Sequence, residues 1–412
     1  MIERQVMEKY AELVVKKGVN IQEGQALMIN APLEGVKFTK LVVKAAYDAG
    51  AKDVHINWGD DDLTLWKFQY APDEVLENVP EWRVKLYESF AKDGAALLSI
   101  HATNPDLLKD IDSEKIAKAN KASAEALAEF RRYTMNDEIP WSVISIPTVG
   151  WAQKIFPDLS DKEAVKSLWE AIVKIVRVDQ EDPLAAWDEH NETLRVAREK
   201  LNEKAYKSLH FKAPGTDLKV GLPDNHIWHG GSAVSTEGIV FNPNMPTEEV
   251  FSAPHKYHVN GKVTSTKPLN YGGTLIDNFT LTFKDGAVVD FSAEEGEEAL
   301  KHLLELDEGA KRLGEVALVP HESPVSQSGL IFYNTLFDEN ASCHLALGKA
   351  YPTNVEGGAN MSEEELDEKG INDSLTHVDF MIGSDELDID GIKADGTKEP
   401  VFRKGTWALD IR

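Results

Sequence analysis

The sequence contains one cysteine, Cys343, in 412 residues, so no disulfide can form within a chain. This scarcity is typical of proteins kept in a reducing compartment, and we expect a cytoplasmic protein. No run of about 18 apolar residues occurs, so a membrane span is not expected. Residues 1–6 also lack the basic-then-apolar order of a secretory signal peptide.

Basic residues are outnumbered, with 44 Lys and Arg against 70 Asp and Glu, and the formal net charge is −26. A surface of this sign repels phosphate, so we expect no nucleic-acid partner. Part of the acidic excess lies in the runs 294–298 and 363–365, which are typical of solvated helix faces.

The first half of the chain alternates short apolar runs with amphipathic stretches. Strands are predicted at 25–30, 53–58, 95–100 and 141–147, and helices at 35–49 and 113–131. This order predicts an α/β domain with a mostly parallel sheet. Nucleotide binding is disfavoured, because no GxGxxG follows these strands and no GxxxxGK[ST] occurs in the sequence.

The second half has a different pattern. Residues 161–208 are predicted to be mostly helical and to connect the halves, so 1–208 forms the N-terminal domain with its helical connector. Residues 209–412 show period-two strands and tight turns, which predict a β-rich α+β domain. Two hairpins are expected there, turning at Asn260-Gly261 and at Asp285-Gly286, because these dipeptides favour tight turns.

Residues 376–383 predict a short strand with its apolar side chains on one face. Since side chains alternate along a strand, His377 and Asp379 point together to the other face. An imidazole beside a carboxylate on rigid backbone can form half of a metal site. The alternative is a polar strand face that simply meets water.

Three other segments supply similar groups. Glu249 precedes the apolar pair 250–251, Glu315 begins the apolar strand 314–320, and His344 lies beside the small residues of 345–348. With His377 and Asp379, these residues offer carboxylates and imidazoles, which suit Zn²⁺, Co²⁺ or Mn²⁺ better than Ca²⁺. Two such ions would share a water of lowered pKa that attacks a carbonyl. Spacing alone is weak support, because no compact HExxH or CxxC pattern is present.

The segments 246–251, 314–320, 344–351 and 376–383, in this order and at these intervals, resemble those of a known family. It is the thermophilic-type metallo-aminopeptidase family that includes aminopeptidase T, aminopeptidase S and PepS. The resemblance extends over the whole chain in length and domain order, and it has no departure at the proposed ligand positions.

The resemblance implies a pair of catalytic divalent ions per chain, with Zn, Co, Mn or Mg left open. It implies the ligands Glu249, Glu315, His344, His377 and Asp379, with Glu315 bridging the ions. Tyr351 would lie in the site and donate a hydrogen bond to the oxyanion. Glu249 is preferred to Glu248 because relatives often carry Gly at the earlier position.

The resemblance further implies a homodimer that removes N-terminal residues from peptides with a free N-terminus, with broad side-chain tolerance. The domain 209–412 would then be the metal-binding catalytic domain, and we expect the domain 1–208 to restrict access to its site. The general base is open between Glu315 and Glu322.

Two other functions remain possible from the sequence. One is a Mg-dependent α/β transferase that acts on a phosphorylated small molecule, although Mg²⁺ with phosphate rarely uses two histidines. The other is a binding protein that keeps the fold without the metals. A thiol mechanism through Cys343 and His344 is disfavoured, since neighbours on a strand face opposite ways.

Overall fold

A computed structural model describes residues 3–271 and 274–411, except for the side chain of Ser113. The first two residues of the segment 1–6 therefore lie outside the described part. Two compact units are formed from interleaved parts of the chain. The first unit comprises Met1–Glu189, Ser232–Pro246 and Ile331–Leu336, and the second comprises His190–Gly231, Thr247–Leu330 and Phe337–Arg412. The predicted division into 1–208 and 209–412 stays a prediction.

Helices and strands alternate in the first half, and strands dominate the second. The α-helices are α1 (Arg4–Leu13), α2 (Val36–Asp48), α3 (Asp61–Tyr70), α4 (Asp73–Leu76), α5 (Glu81–Lys92), α6 (Ser113–Ala126), α7 (Ala128–Met135), α8 (Val149–Ile155), α9 (Asp161–Ile175), α10 (Pro183–Lys204), α11 (Glu297–Leu304), α12 (Pro324–Ser328), α13 (Thr335–Asp338) and α14 (Glu363–Glu368). The strands are β1 (Ala26–Pro32), β2 (Asp53–Gly59), β3 (Ala96–His101), β4 (Trp141–Ser145), β5 (Ser208–Ala213), β6 (Thr216–Gly221), β7 (Ala233–Val234), β8 (Val240–Phe241), β9 (Val250–Ser252), β10 (Val259–Thr264), β11 (Leu269–Tyr271), β12 (Thr274–Ile276), β13 (Thr280–Lys284), β14 (Ala287–Ser292), β15 (Leu313–Leu318), β16 (His344–Gly348), β17 (His377–Met381), β18 (Asp388–Ile392), β19 (Lys398–Arg403) and β20 (Thr406–Trp407).

The first unit is built on a parallel sheet of order β2-β1-β3-β4, with helices joining its strands. β1 is buried along most of its length, as expected for a strand covered on both faces. Helix α2 ends before Gly50, whose φ of +98° suits the left-handed position after a helix. The predicted helix 113–131 is instead two helices, because the chain leaves helical geometry at Leu127.

The second unit contains two larger antiparallel sheets. One has eight strands in the order β14-β13-β10-β6-β5-β18-β19-β20, and the other has four in the order β17-β16-β15-β9. One hydrophobic core includes residues of both sheets, for example Phe211 of β5 and Leu345 of β16. Apolar side chains of the four-stranded sheet enter this core, so its alternate residues are free to form a polar face. The predicted fold class, an α/β N-terminal part and a β-rich α+β C-terminal part, is confirmed.

The Asp285-Gly286 hairpin is confirmed, but the Asn260-Gly261 hairpin is wrong. The Asp285-Gly286 turn joins the antiparallel strands β13 and β14. Asn260 and Gly261 instead lie inside β10, which is a continuous strand between β6 and β13. Gly261 has φ +122°, and a Cβ there would lie 2.2 Å from Asp217 O. This glycine therefore permits a close approach of the neighbouring strand, which is the other common use of glycine within a sheet.

Among the described residues, no helix is both long enough and apolar enough to cross a membrane.

Candidate metal centre

One face of the four-stranded sheet gathers the acidic and imidazole side chains. Ala346 of β16 pairs with Glu315 of β15 and with Asp379 of β17, so these residues share a row across the sheet. His344 lies two residues before Ala346 and therefore on the same face. Gly348 lies two residues after Ala346 and pairs with His377. Small residues on the middle strand leave space into which the longer side chains converge.

Glu315 is the central group of this cluster. Its Oε1 lies 3.3 Å from His344 Nε2, and its Oε2 lies 3.8 Å from His377 Nε2. Glu249 Oε2 is 3.3 Å from the same nitrogen of His344, and Asp379 Oδ1 is 3.3 Å from His377 Nε2. The structure thus brings together all five residues that the sequence proposed as ligands.

The cluster leaves buried oxygen atoms without hydrogen-bond partners. Glu249 Oε2 and Asp379 Oδ1 are both buried and accept no hydrogen bond from the described residues. Glu249, Glu315 and His344 each offer one ligand atom within a group no wider than 4.8 Å. Unsatisfied buried carboxylate oxygens are costly, and a bound cation would relieve that cost. The donor set and its unpaired oxygens therefore fit a divalent metal ion.

The backbone fixes both imidazole rings. His344 Nδ1 donates to Ser342 O at 3.1 Å, and His377 Nδ1 donates to Lys349 O at 2.7 Å. Each ring consequently presents Nε2 to the cluster. This is the usual outer hydrogen bond of a metal-ligating histidine, and it raises the basicity of the ligating nitrogen.

Electrostatics in the metal-free cluster favour bound protons. Burial raises the pKa of Glu249 to about 8, with Glu315 adding to the rise and His344 opposing it. Burial alone would lower the pKa of His344, but contact with Glu315 and the charge of Glu249 raise it to about 10. Burial likewise opposes the charged form of His377, yet Asp379 beside it raises the pKa to about 9. Protons thus occupy positions that a cation could take.

Glycine brings the backbone of Glu249 into place. A Cβ on Gly230 would lie 2.3 Å from Glu249 O and 2.9 Å from Val250 Cα, so the two segments can only pack this closely at a glycine. The neighbouring Glu248 turns elsewhere, with its Oε2 3.8 Å from His190 Nε2. Glu249 rather than Glu248 therefore lies beside His344.

Tyr351 lies at the edge of the cluster. Its ring centroid is 5.4 Å from that of His377 and 6.0 Å from that of Phe251. Burial, and then the charge of Glu315 and Asp379, raise the pKa of the Tyr351 hydroxyl above its usual range. The hydroxyl is therefore protonated at neutral pH and available as a hydrogen-bond donor.

Glu339 is the residue that sequence reasoning missed. It lies in a short 3₁₀ turn after α13, where no strand period or motif marks it. Burial raises its pKa well above the usual range, and the charges of Glu249 and Asp379 raise it further, so its carboxyl group lies near these two acids. The only feature of the sequence that pointed to Glu339 was its closeness to His344 along the chain.

Two groups considered from the sequence lie outside this chemistry. Cys343 is buried in the hydrophobic core, its Sγ donates to Val319 O, and burial raises the pKa of the thiol to about 12. Glu322 is exposed, and its Oε1 accepts a hydrogen bond from Thr406 Oγ1. Neither a thiol dyad nor a base at Glu322 is supported by these positions.

Comparison of the whole chain with known proteins also indicates a metal-dependent protein. The family model described as thermophilic metalloprotease (M29) matches residues 3–407. The chain belongs to this metalloprotease family. The family resemblance proposed from the sequence is thus confirmed, and the protein is a member of a family of metal-dependent hydrolases.

Curated relatives match the M29 chain over nearly its full length. Aminopeptidase 2 of Geobacillus stearothermophilus is 61% identical over 405 residues, covering 98% of both chains. Aminopeptidase AmpS of Bacillus subtilis is 52% identical, covering 98% of this chain and 99% of its own. The solved structure of wild-type AmpT from Thermus thermophilus superposes with a TM-score of 0.93 at 42% identity, covering 98% of this chain and 100% of that one.

Proposed function

We propose that the protein is a metal-dependent aminopeptidase that releases N-terminal amino acids from peptides, using two divalent ions held in the cluster. The observation that carries the proposal is the position of Glu315, whose two oxygens face two different histidines. A carboxylate placed in this way suits a bridge between two ions. The relatives described above, which are named aminopeptidases, support the choice of substrate.

The side chains divide into two groups around Glu315. Glu249 and His344 would hold one ion with Glu315, and His377 and Asp379 would hold the other. Glu339 is proposed as a further carboxylate beside them, because a nearby divalent charge would offset the neighbouring acids that raise its pKa. The buried oxygens of Glu249 and Asp379 that lack partners would then be satisfied.

Divalent ions, when bound here, supply Lewis acidity for the scissile carbonyl and lower the pKa of the attacking water. The chain contributes the remaining requirements. Tyr351, held in its protonated form, can donate a hydrogen bond to the oxygen on which negative charge develops.

The finer features expected from the sequence belong to the same proposal. They are Zn²⁺, Co²⁺, Mn²⁺ or Mg²⁺ as the ion, a homodimeric assembly and a cytoplasmic location. The phosphate-directed transferase is disfavoured, because the cluster pairs its carboxylates with two buried or half-buried imidazoles, and Mg²⁺ prefers oxygen ligands.

The test combines metal analysis with turnover. The purified protein is assayed with an aminoacyl fluorogenic amide and with its N-acetylated counterpart, before and after chelation and re-addition of each ion. We expect hydrolysis of the free-amine substrate only, loss on chelation, and two ions per chain in the active form. Equal cleavage of the acetylated substrate would contradict aminopeptidase action. Metal binding with turnover of phosphorylated small molecules alone would favour the transferase.

A further inference from the structure

The first unit has a cleft of about 300 Å³ that the metal centre does not involve. It lies at the carboxyl ends of the parallel strands, lined by residues at or after the ends of β1, β2 and β3. The sheet order is β2-β1-β3-β4, so β2 lies on one side of β1 and β3 lies on the other. Open parallel sheets bind ligands in the crevice where the strand order reverses in this way.

Polar side chains form the floor of the cleft. Asn30 of β1 and Asn57 of β2 are register partners, and both line the cleft together with Tyr87 of α5. Asn57 Nδ2 donates to Tyr87 Oη at 2.8 Å and to Asn30 Oδ1 at 3.1 Å, and Tyr87 Oη donates to Asn30 Oδ1 at 3.0 Å. This network fixes both amides. It leaves Asn57 Oδ1 without a donor among the described residues, and so free to accept a hydrogen bond from a ligand.

Charged side chains stand at the rim. The guanidinium of Arg83 lines the cleft and has no ion-pair or hydrogen-bond partner within 3–271 and 274–411. Glu34, Asp60 and Asp61 line the same cleft. Each of these acids uses one oxygen to accept a backbone N–H, from Val149, Leu63 and Asn104 respectively. The cleft thus offers one unpaired cation and three carboxylates that retain an oxygen for a ligand.

This distribution selects the class of ligand. A phosphate group would meet three carboxylates for one arginine, and among the described residues no glycine-rich turn lines the cleft to supply backbone N–H groups. A ligand with one carboxylate and one ammonium group matches both signs. The half-exposed ring of Trp58 at the cleft offers an apolar surface for a side chain. The volume is at the lower end for small-molecule sites.

We propose that this cleft binds a small zwitterion of the amino-acid or short-peptide class, with its carboxylate on Arg83 and its ammonium on the acids of the rim. The inference does not depend on the peptidase activity, since it rests on residues of the first unit alone. A free amino acid and a short peptide share this chemistry, and binding measurements separate them.

Calorimetric titration of the metal-loaded full chain tests the proposal. The probes are L-leucine, L-leucinol without the carboxylate, N-acetyl-L-leucine without the ammonium, and a dileucine isostere with a non-hydrolysable ketomethylene link. Arg83→Gln removes the proposed carboxylate partner. Arg131→Gln is the matched control, because Arg131 is also exposed, has no side-chain partner among the described residues and lies outside the cleft.

We expect Arg83→Gln to weaken L-leucine binding roughly tenfold to a hundredfold, as loss of a charge-assisted hydrogen bond does. L-leucinol, which lacks the carboxylate, should bind Arg83→Gln and Arg131→Gln with the same affinity. Asp60→Asn, which keeps the cap of α3, should weaken L-leucine but not N-acetyl-L-leucine. Tighter binding of the isostere than of L-leucine would assign the cleft to peptides, and the reverse to free amino acids. Three outcomes would overturn the proposal. L-leucine could bind wild type and Arg83→Gln with equal affinity, it could lose as much affinity in Arg131→Gln as in Arg83→Gln, or it could fail to bind at millimolar concentration.

Discussion

Glu315 and Asp379 lie on the same row of the sheet, two strands apart, because both pair with the residue between them. That residue is Ala346, which is fully buried. Its single methyl group leaves the space over the middle strand open. A larger side chain there would project into the region where the five proposed ligands converge.

Ala346→Leu should therefore remove metal binding while the sheet persists. We expect less than half of the wild-type metal content and a loss of about 1–3 kcal/mol in the free energy of unfolding, as overpacking usually costs. Ala346→Ser, which adds one small atom, is the control and should keep most of the metal. Elemental analysis and chemical denaturation measure the two effects. Full metal content in the leucine variant would show that the ions lie elsewhere.

Glu315→Gln keeps the shape of the side chain but removes the charge that faces both histidines. If Glu315 bridges two ions, the variant should lose at least one of them, and kcat/KM should fall about a thousandfold or more, because metal activation contributes several kcal/mol. The readouts are ions per chain and hydrolysis of the fluorogenic amide.

Glu322→Gln is the matched control for that experiment. Glu322 is an exposed carboxylate on the same segment, bonded to Thr406 rather than to the cluster. We expect its metal content and activity to stay within about twofold of wild type. A thousandfold loss in this variant with normal metal content would restore Glu322 as the general base.

The metal-free protein should become less stable as the pH rises. Folding raises the pKa of Glu249 from 4.5 to about 8, of His377 from 6.5 to about 9 and of His344 from 6.5 to about 10. A group with a raised pKa in the folded state contributes stability that is present below its unfolded pKa and lost as pH rises through the folded value. For each extra proton that the folded state binds, the free energy of unfolding then falls by about 1.4 kcal/mol per unit rise in pH.

Thermal unfolding measures this effect. We expect Tm of the chelated protein to fall from about pH 6 to about pH 9, and metal addition to release protons and to remove most of the fall. The comparison is the chelated Glu249→Gln variant, which lacks one of the titrating groups and should show a shallower slope. A Tm of the chelated wild type that rises across this range would contradict the proton-loaded cluster.

Local sequence pattern was sufficient for the strands that carry the ligands. The alternation along 376–383 predicted that His377 and Asp379 share a face, and β17 places them so. The apolar runs of the first half likewise predicted the parallel sheet, because buried parallel strands are continuous hydrophobic segments. These features depend on residues that are neighbours in the chain.

Features that depend on distant segments were not predicted. Asn260-Gly261 has the composition of a hairpin turn, yet Gly261 instead permits close approach of Asp217 from β6. Glu339 entered the cluster through the packing of a 3₁₀ turn that has no periodic pattern. In both cases the deciding contact joins segments far apart in the sequence, which neither propensity nor spacing reveals.

Cys343 should be chemically inert in the native protein. Burial raises the pKa of its thiol to about 12, and its Sγ is hydrogen-bonded to the backbone of Val319. Because the thiolate is the reactive form, iodoacetamide at about pH 8 should modify the unfolded chain but leave native protein and its activity unchanged. Mass spectrometry measures the labelling. Native labelling with parallel loss of activity would argue for a thiol role.

Gly230→Ala should disturb the metal centre through the backbone of Glu249. Gly230 has φ +148°, and an added Cβ would lie 2.3 Å from Glu249 O. Gly238→Ala is the matched control, since Gly238 has φ +81° but nothing lies within 4 Å of the added Cβ. Both substitutions carry the conformational cost of alanine at positive φ, about 1 kcal/mol, but only the first adds a collision.

The difference in metal affinity between the two variants therefore reports the displacement of Glu249. We expect Gly230→Ala to lose a further 1–3 kcal/mol or so of stability and to bind metal about 10–100-fold more weakly, because displacement of Glu249 disorders a proposed ligand. Gly238→Ala should bind metal as wild type does. Denaturant unfolding and competitive metal titration with a chromophoric chelator give both quantities. Equal metal affinity in the two variants would show that Glu249 is not held by this contact, and that its position beside His344 is set by β9 alone.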